Sequence, residues 1–411
     1  MNNETIIHSS LYEVVPIDFP QGEEYISDII SITMSDTGII DAQIANVTCN
    51  ESCKMLINAV KLFQMGYFDC AFYSIRQTIE LSISGIYLYS DKKKIQNWNR
   101  GENGFEKGHM TRLLKGRDAI FSDVREKLDF YFNNLRETER KIDKYVHKQG
   151  MSTFYTYFGQ SPNSYKKNKA DLVRDFEHYL KDCIGAVAIY RLIIDPLPLL
   201  LTDQDIAVRV PDFITLPYGQ SFINKYINER VIDAYKQTDL YQGYYEELSS
   251  REKQNEAVYN LIHFQAIDRS HIKEYEEQAH LLNIHEKLAL TIAFASQKVS
   301  NCYLMNGFLW YFTEVKSLRE SSSIMFSNSY YQDLFTGNSN YNHSFDNVYI
   351  SRCSTFGEIH YFEHNEPLIK HEIELIEQIA FEFNKNYEET KKQLQDILNN
   401  QPLNKVILTI K

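Results

Sequence analysis

Glu139-Arg140-Lys141-Ile142-Asp143-Lys144-Tyr145-Val146-His147-Lys148 sets charged and apolar residues at helical intervals. Ile142, Tyr145 and Val146 fall three and four residues apart, which makes them a stripe for burial. Arg140 and His147 stand seven residues apart, about 20° from eclipsed on a helix. Asp143 and Lys144 fill the positions between, so one face carries a guanidinium, a carboxylate, an ammonium and an imidazole. Such a face suits phosphate binding and proton transfer. It also describes an ordinary solvated face, on which Arg140 pairs with Glu137 or Asp143 and His147 caps helix carbonyls.

Outward from this stretch, Phe121 to Val146 reads as one long helix. Gln149-Gly150 ends it and leaves His147 in the last turn, where the helix dipole favours a cation. Thr153 to Lys169 is a loop, basic and aromatic by turns, and Ala170 to Ile194 is the next helix. The two prolines of Asp195-Pro196-Leu197-Pro198 stop that helix and mark the expected domain boundary, between residues 200 and 203.

Upstream, Thr48 with Glu51 gives a capping-box signal for a helix that carries Met55, Leu56, Ala59, Val60, Leu62 and Phe63 to Gly66. A second helix from Asp69 has the core stripe Phe72, Ile75, Ile79, Ile83 and Ile86. Its other face carries Tyr73, Arg76 and Glu80, the last two an i,i+4 pair. Asp91 to Lys94 and Asn99 to Gly104 form a polar excursion, with Trp98 tucked against a helix. Residues 1–45 mix β-rich pieces, Leu11 to Ile17 and Ile30 to Met34, with Pro, Gly and Asp breaks, and read as an N-terminal appendage.

The stretch from Gly66 to Leu81 resembles the second-helix pattern of HEPN domains, and Lys144-Tyr145-Val146-His147 resembles the end of that family's motif helix. The resemblance covers roughly residues 46–200. HEPN ribonucleases carry an arginine and a histidine with four to six residues between them. Arg140 and His147 have six, a spacing that chance alone would supply about once in this composition, so position in the chain gives it weight. Lys141 stands where many active members carry Asn, Asp or His. The resemblance implies a metal-independent endoribonuclease without cofactor, its cleft at a symmetric homodimer interface, in a toxin or anti-phage role. Arg140 and His147 would be catalytic, with Asp143 orienting the imidazole and Arg76, Glu80 and Lys144 supporting or binding RNA. Some members are non-catalytic, so the alternative is a helical interaction or regulatory module with a protein partner.

The chemistry agrees with these residue types. RNA cleavage needs a base for the 2′-hydroxyl proton, an acid for the leaving 5′-oxygen, and positive charge on the phosphate. Histidine titrates near neutral pH and serves as base or acid. Arginine holds two phosphate oxygens in its planar fork, which lysine does less well.

Residues 203–411 read as a mainly helical domain with a small β element and a possible sensor role. Helical patterns cover Gln220 to Gln237, Leu240 to Gln265, Arg269 to Leu282 and His285 to Leu304. Val348 to His364 reads as a β-hairpin, a helix follows to about Asn399, and Val406 to Ile410 ends the chain as a strand. His360-Tyr361-Phe362-Glu363-His364 matches the H-x-x-E-H zinc peptidase pattern. A strand there puts Glu363 on the face opposite His360 and His364, and Glu372, Glu374 or Glu377 would have to complete the ligand set. The alternative is a half-exposed hairpin. Trp310 to Glu314 is either a pocket lining or core.

The fold class expected from all this is mostly α, an N-terminal bundle followed by a helical domain bearing a hairpin. A length of 411 residues suits two domains. A net charge of −12 argues against a protein that coats nucleic acid generally, without excluding a local basic site. The N-terminus shows no secretory signal, and Arg191, Asp195 and two prolines interrupt the most apolar segment, so no membrane span is expected. Six scattered cysteines then suggest reduced thiols in the cytoplasm. Neither a P-loop nor a G-x-S-x-G elbow occurs.

Overall fold

Apolar residues at helical intervals build most of this chain, and the computed structural model is mostly helical with a small antiparallel sheet, as the periodicity predicts. It describes residues 14, 16–89, 91–102, 105–150, 153, 169–210, 214–305, 309–313 and 349–400, with the backbone alone at 169, 390 and 393–400. The loop expected after Thr153, the strand expected at Val406 to Ile410 and most of Leu11 to Ile17 lie outside the described residues. The chain divides into two compact units, Met1–Arg251 and Glu252–Lys411.

The first unit begins with α1 (Gly22–Thr33), α2 (Gln43–Gln64) and α3 (Phe68–Leu88). Ile30 to Thr33 therefore belong to a helix, not a β-rich piece. Tyr25, Ile29 and Ile32 of α1 enter the core that α2 also forms, so this segment is structural rather than appended. α2 and α3 form a hairpin through Gly66, whose φ of 88° a glycine tolerates. They approach closely enough that a Cβ on Gly85 would stand 2.1 Å from Thr48 Oγ1. Thr48 lies inside α2, donating to the carbonyls of Ile44 and Ala45 at 3.0 and 3.1 Å, so it caps nothing. The expected stripe of α3 is buried at all five positions.

Then come α4 (Lys92–Asn99), α5 (Lys107–Arg117), α6 (Ala119–Lys127), α7 (Asp129–Val146) and α8 (Lys169–Leu192). The polar excursion thus holds a short helix, capped by Asp91, whose side chain accepts from Lys94 N at 3.0 Å. The long helix expected over Phe121 to Val146 is broken at Leu128, with φ −103° and ψ 25°. No Pro or Gly announces that break, and Leu128 itself is buried, so packing sets it. Rings stack between helices: Phe63 on Phe176 at 3.8 Å and Phe72 on Tyr145 at 4.3 Å.

The two prolines do follow the end of α8, yet the chain stays on the same core. α9 (Leu197–Leu200), α10 (Gln204–Ala207), α11 (Gln220–Tyr226), α12 (Glu229–Tyr235) and α13 (Asp239–Ser249) complete the unit. Tyr218 N donates to Pro198 O at 2.8 Å and Tyr235 Oη to Leu192 O at 2.6 Å. Arg191 pairs with Asp195 at 3.2 Å, both buried, and its Nε donates to Ser35 O at 2.6 Å. Proline halts a helix without ending a core, so this unit runs past the expected boundary to Arg251.

The second unit contains α14 (Glu256–Phe264), α15 (Ile272–Glu277), α16 (Ile284–Ala295), β1 (Val299–Leu304), β2 (Leu309–Phe312), β3 (Tyr349–Thr355), β4 (Glu358–His364) and α17 (Lys370–Asn400). The strands run antiparallel in the order β2-β1-β4-β3. The expected hairpin is β3–β4. Phe356 and Gly357 have φ of 58° and 78°, the two positive values of a two-residue type I′ turn. The helix expected over His285 to Leu304 stops at Ala295, and Val299–Leu304 becomes the strand beside β4. Tyr311 and Phe312 are buried, so that aromatic run is core.

Candidate functional site

Three residues of α3 hold the end of α7. Asp69 takes an ion pair from Lys148, Tyr73 Oη donates to Val146 O at 3.1 Å, and Arg76 Nε donates to Asp143 Oδ1 at 2.8 Å. Their spacing, four and then three residues, puts them on one helix face. The sequence singled out Tyr73, Arg76 and Glu80 as that face but not Asp69. At its end α7 closes with Gln149 N on Lys144 O at 2.8 Å and Lys148 in the left-handed region at φ 52°. This is a Schellman turn in which lysine takes the place usual for glycine.

On this frame the candidate residues separate into two groups. Arg76, Glu80 and Asp143 come together: Arg76 also reaches Glu80 at 3.2 Å, and all three line a cavity of about 350 Å³. Its wall adds Glu106, Lys107 and Glu139, with Lys107 ion-paired to Glu139. Two cations face four carboxylates there, which is unsuited to a phosphate. Arg76 joins α3 to α7 through Asp143, and Glu80 pairs with Arg76 on its own helix.

Arg140, Lys144 and His147 do not line that cavity and lie exposed on the outer face of α7. Arg140, 67% exposed, pairs with Glu137 at 2.5 Å, as the solvated-face reading expected. His147 is the C-cap residue, its backbone N donating to Asp143 O at 2.8 Å. Its imidazole has no hydrogen-bond partner among the described residues, and Tyr73 rather than His147 caps a carbonyl here. Asp143 spends its carboxylate on Arg76, so it does not orient the imidazole as the sequence suggested.

The three groups of the zinc pattern are each engaged by protein. His360 Nδ1 accepts from Met305 N at 3.0 Å while Nε2 lies 3.1 Å from Thr355 O. His364 contacts Ser351 Oγ and Glu366 O at 3.0 and 2.7 Å, and Glu363 accepts from Tyr303 Oη at 2.8 Å. Burial holds both imidazoles below the usual histidine range. Among the described residues no cluster of three or more His, Cys, Asp or Glu has the arrangement of a metal site. These histidines fasten the sheet. Glu372, named as a possible fourth ligand, instead binds Lys298, Ser296 and Ile369 N.

All six cysteines are free thiols, five of them buried, Cys49 and Cys53 included. Among the described residues no helix is long and apolar enough to cross a membrane. No family model, curated protein or solved structure matches this chain.

Proposed function

We propose that the first unit cleaves RNA without a metal ion, in the manner of HEPN ribonucleases, and that it works as a homodimer. The observation that supports this reading is the exposed imidazole of His147, free of side-chain partners among the described residues, two helical turns beyond an exposed arginine. In this reaction the 2′-oxygen attacks the adjacent phosphorus and the bond to the 5′-oxygen breaks. One imidazole takes the 2′-hydroxyl proton and an acid gives a proton to the 5′-oxygen. Each copy supplies one such imidazole on this face, so a second copy brings the other. Arg140 leaves Glu137 to hold the phosphate as negative charge builds on it.

The second reading is a non-catalytic helical interaction module. The Arg140–Glu137 pair favours it, because it already occupies the guanidinium. Cleavage of total cellular RNA in the presence of chelator separates the two. His147→Ala is expected to lower the rate roughly 10²–10⁴-fold. Arg140→Lys should rescue little, since a point charge does not replace the fork. Both variants should fold normally, as exposed positions on a helix contribute little to the core. Equal cleavage by wild type and His147→Ala would remove these residues from the reaction. An absence of cleavage by every form leaves the interaction module as the better account.

A further inference from the structure

Beside the acidic cavity, where α5, α6 and α7 meet α3 and α8, lies a second cavity of about 390 Å³ with the opposite charge. Five basic residues line it, Lys107, Arg112, Lys115, Arg125 and Arg136, against the single carboxylate of Glu139. Lys107 and Glu139 neutralise one another. Among the described residues Arg112 meets only the His109 ring, at 2.9 Å. Lys115, Arg125 and Arg136 make no ion pair among the described residues. In a chain of net charge −12, such a concentration of unmatched positive charge on one recess is not an average surface.

Arg125 is the centre of it. Its guanidinium lies over the Phe132 ring, 4.0 Å from the centroid, a cation–π contact. Its Nε is buried without a hydrogen-bond partner. Asp129 and Glu139 act on it without an ion pair, and a half-buried guanidinium without a paired carboxylate costs stability unless an anion arrives to offset it. Burial and then the repulsion of Arg125 and Arg136 pull the Lys115 ammonium below the usual lysine range. The remaining wall is mostly apolar, with Phe132, Leu135, Ile83 and the buried Tyr190 beside Thr111, whose hydroxyl donates to Lys107 O at 2.8 Å.

We propose that this cavity binds a small phosphorylated ligand with an aromatic or apolar portion, the phosphate held by Arg125, Arg136 and Lys115 and the apolar portion against Phe132 and Tyr190. A dianionic phosphate, or more than one, matches the excess charge better than a single carboxylate does. Guanidinium forks bind phosphate oxygens in pairs, and the volume falls in the range of small-molecule sites. This site uses neither Arg140 nor His147 and does not rest on the ribonuclease reading.

Calorimetric titration of the full chain tests it, with phenyl phosphate, adenosine 5′-monophosphate, inorganic phosphate, phenol and adenosine as probes. Phenyl phosphate is expected to bind saturably, and more tightly than inorganic phosphate or phenol, which each carry half of the recognised chemistry. Tighter binding of the nucleotide than of phenyl phosphate would identify a nucleoside phosphate as the ligand, and the reverse another aromatic phosphate. Arg125→Met and Arg136→Gln should each weaken binding about tenfold or more, as loss of a charge-assisted hydrogen bond does. Arg136 is exposed, so its variant stays folded even if the Arg125 variant does not. Absence of binding by all three phosphates would overturn the proposal. So would binding untouched by Arg136→Gln, or a single-stranded RNA oligonucleotide binding at the same residues more tightly than any small phosphate.

Discussion

At Gly85 and Gly185 the packing of the first unit admits no side chain, but for two different reasons. A Cβ on Gly85 would meet Thr48 Oγ1 at 2.1 Å, whereas one on Gly185 would meet Tyr226 O, a backbone atom, at 2.3 Å. A threonine hydroxyl can be removed and a carbonyl cannot. Gly85→Ala is therefore expected to lower stability by about 1–3 kcal/mol, the usual result of overpacking, and Thr48→Ala in the same chain should recover part of it. Gly185→Ala should have no such rescue short of moving α11. Urea denaturation of the three variants checks this, and a Gly85→Ala chain as stable as wild type would show that α2 and α3 separate easily. The candidate residues follow the same rule of legibility. Arg140, His147 and the Arg76–Glu80 pair could be read off one helix at a time. Asp143 on Arg76 and Lys148 on Asp69 join residues more than sixty apart, so no local spacing reveals them. The basic cavity escaped for the same reason, being assembled from five helices, three of which divide its cations between them.

Elements were legible where a periodic pattern coincided with burial, as along α3. They were misread where composition and context disagree. Ile30 to Thr33 is β-branched enough to suggest a strand, but Tyr25, Ile29 and Ile32 share a buried face at helical spacing. Val299–Leu304 looks like the continuation of α16, yet it pairs in the sheet with β2 on one side and, on the other, with β4 some sixty residues onward. The start of α17 offers a test of such long-range fastening. Glu372 accepts from Ile369 N at 2.7 Å, from Ser296 Oγ at 2.7 Å and from Lys298 Nζ at 2.8 Å. Lys298 first, then these other donors, hold its carboxyl down at about 2, from the ordinary value of 4.5. A carboxylate depressed on folding stabilises fully above its unfolded value, and that contribution is lost as pH falls towards the folded one. The second unit should thus lose stability between about pH 4.5 and about pH 2 through this group. Glu372→Gln should be less stable than wild type at pH 7, and the difference should shrink across that window. A difference independent of pH would mean the carboxylate's charge contributes nothing.

Among the described residues the two large cores share no residue: one runs from Phe19 to Leu248 and the other from Ala257 to Ala380. Each buries its own aromatic and aliphatic side chains, which is the physical meaning of a domain. Residues 1–251 expressed alone are expected to give a helical protein with a single cooperative thermal transition by circular dichroism. A broad, non-cooperative melt would mean that the second core is needed by the first. The chain's length announced two domains. The prolines placed the division too early, because residues 204–248 return to a core that only the folded first helices define. That return also sets a clock. Ser35 accepts its hydrogen bond from Arg191, 156 residues later. At about 5–20 residues per second of synthesis, the Ser35 carbonyl waits roughly eight to thirty seconds for its donor. Throughout that interval the part of α1 that α8 later covers, Tyr25 against Glu177, stays exposed, and slow or paused translation before Arg191 lengthens that exposure.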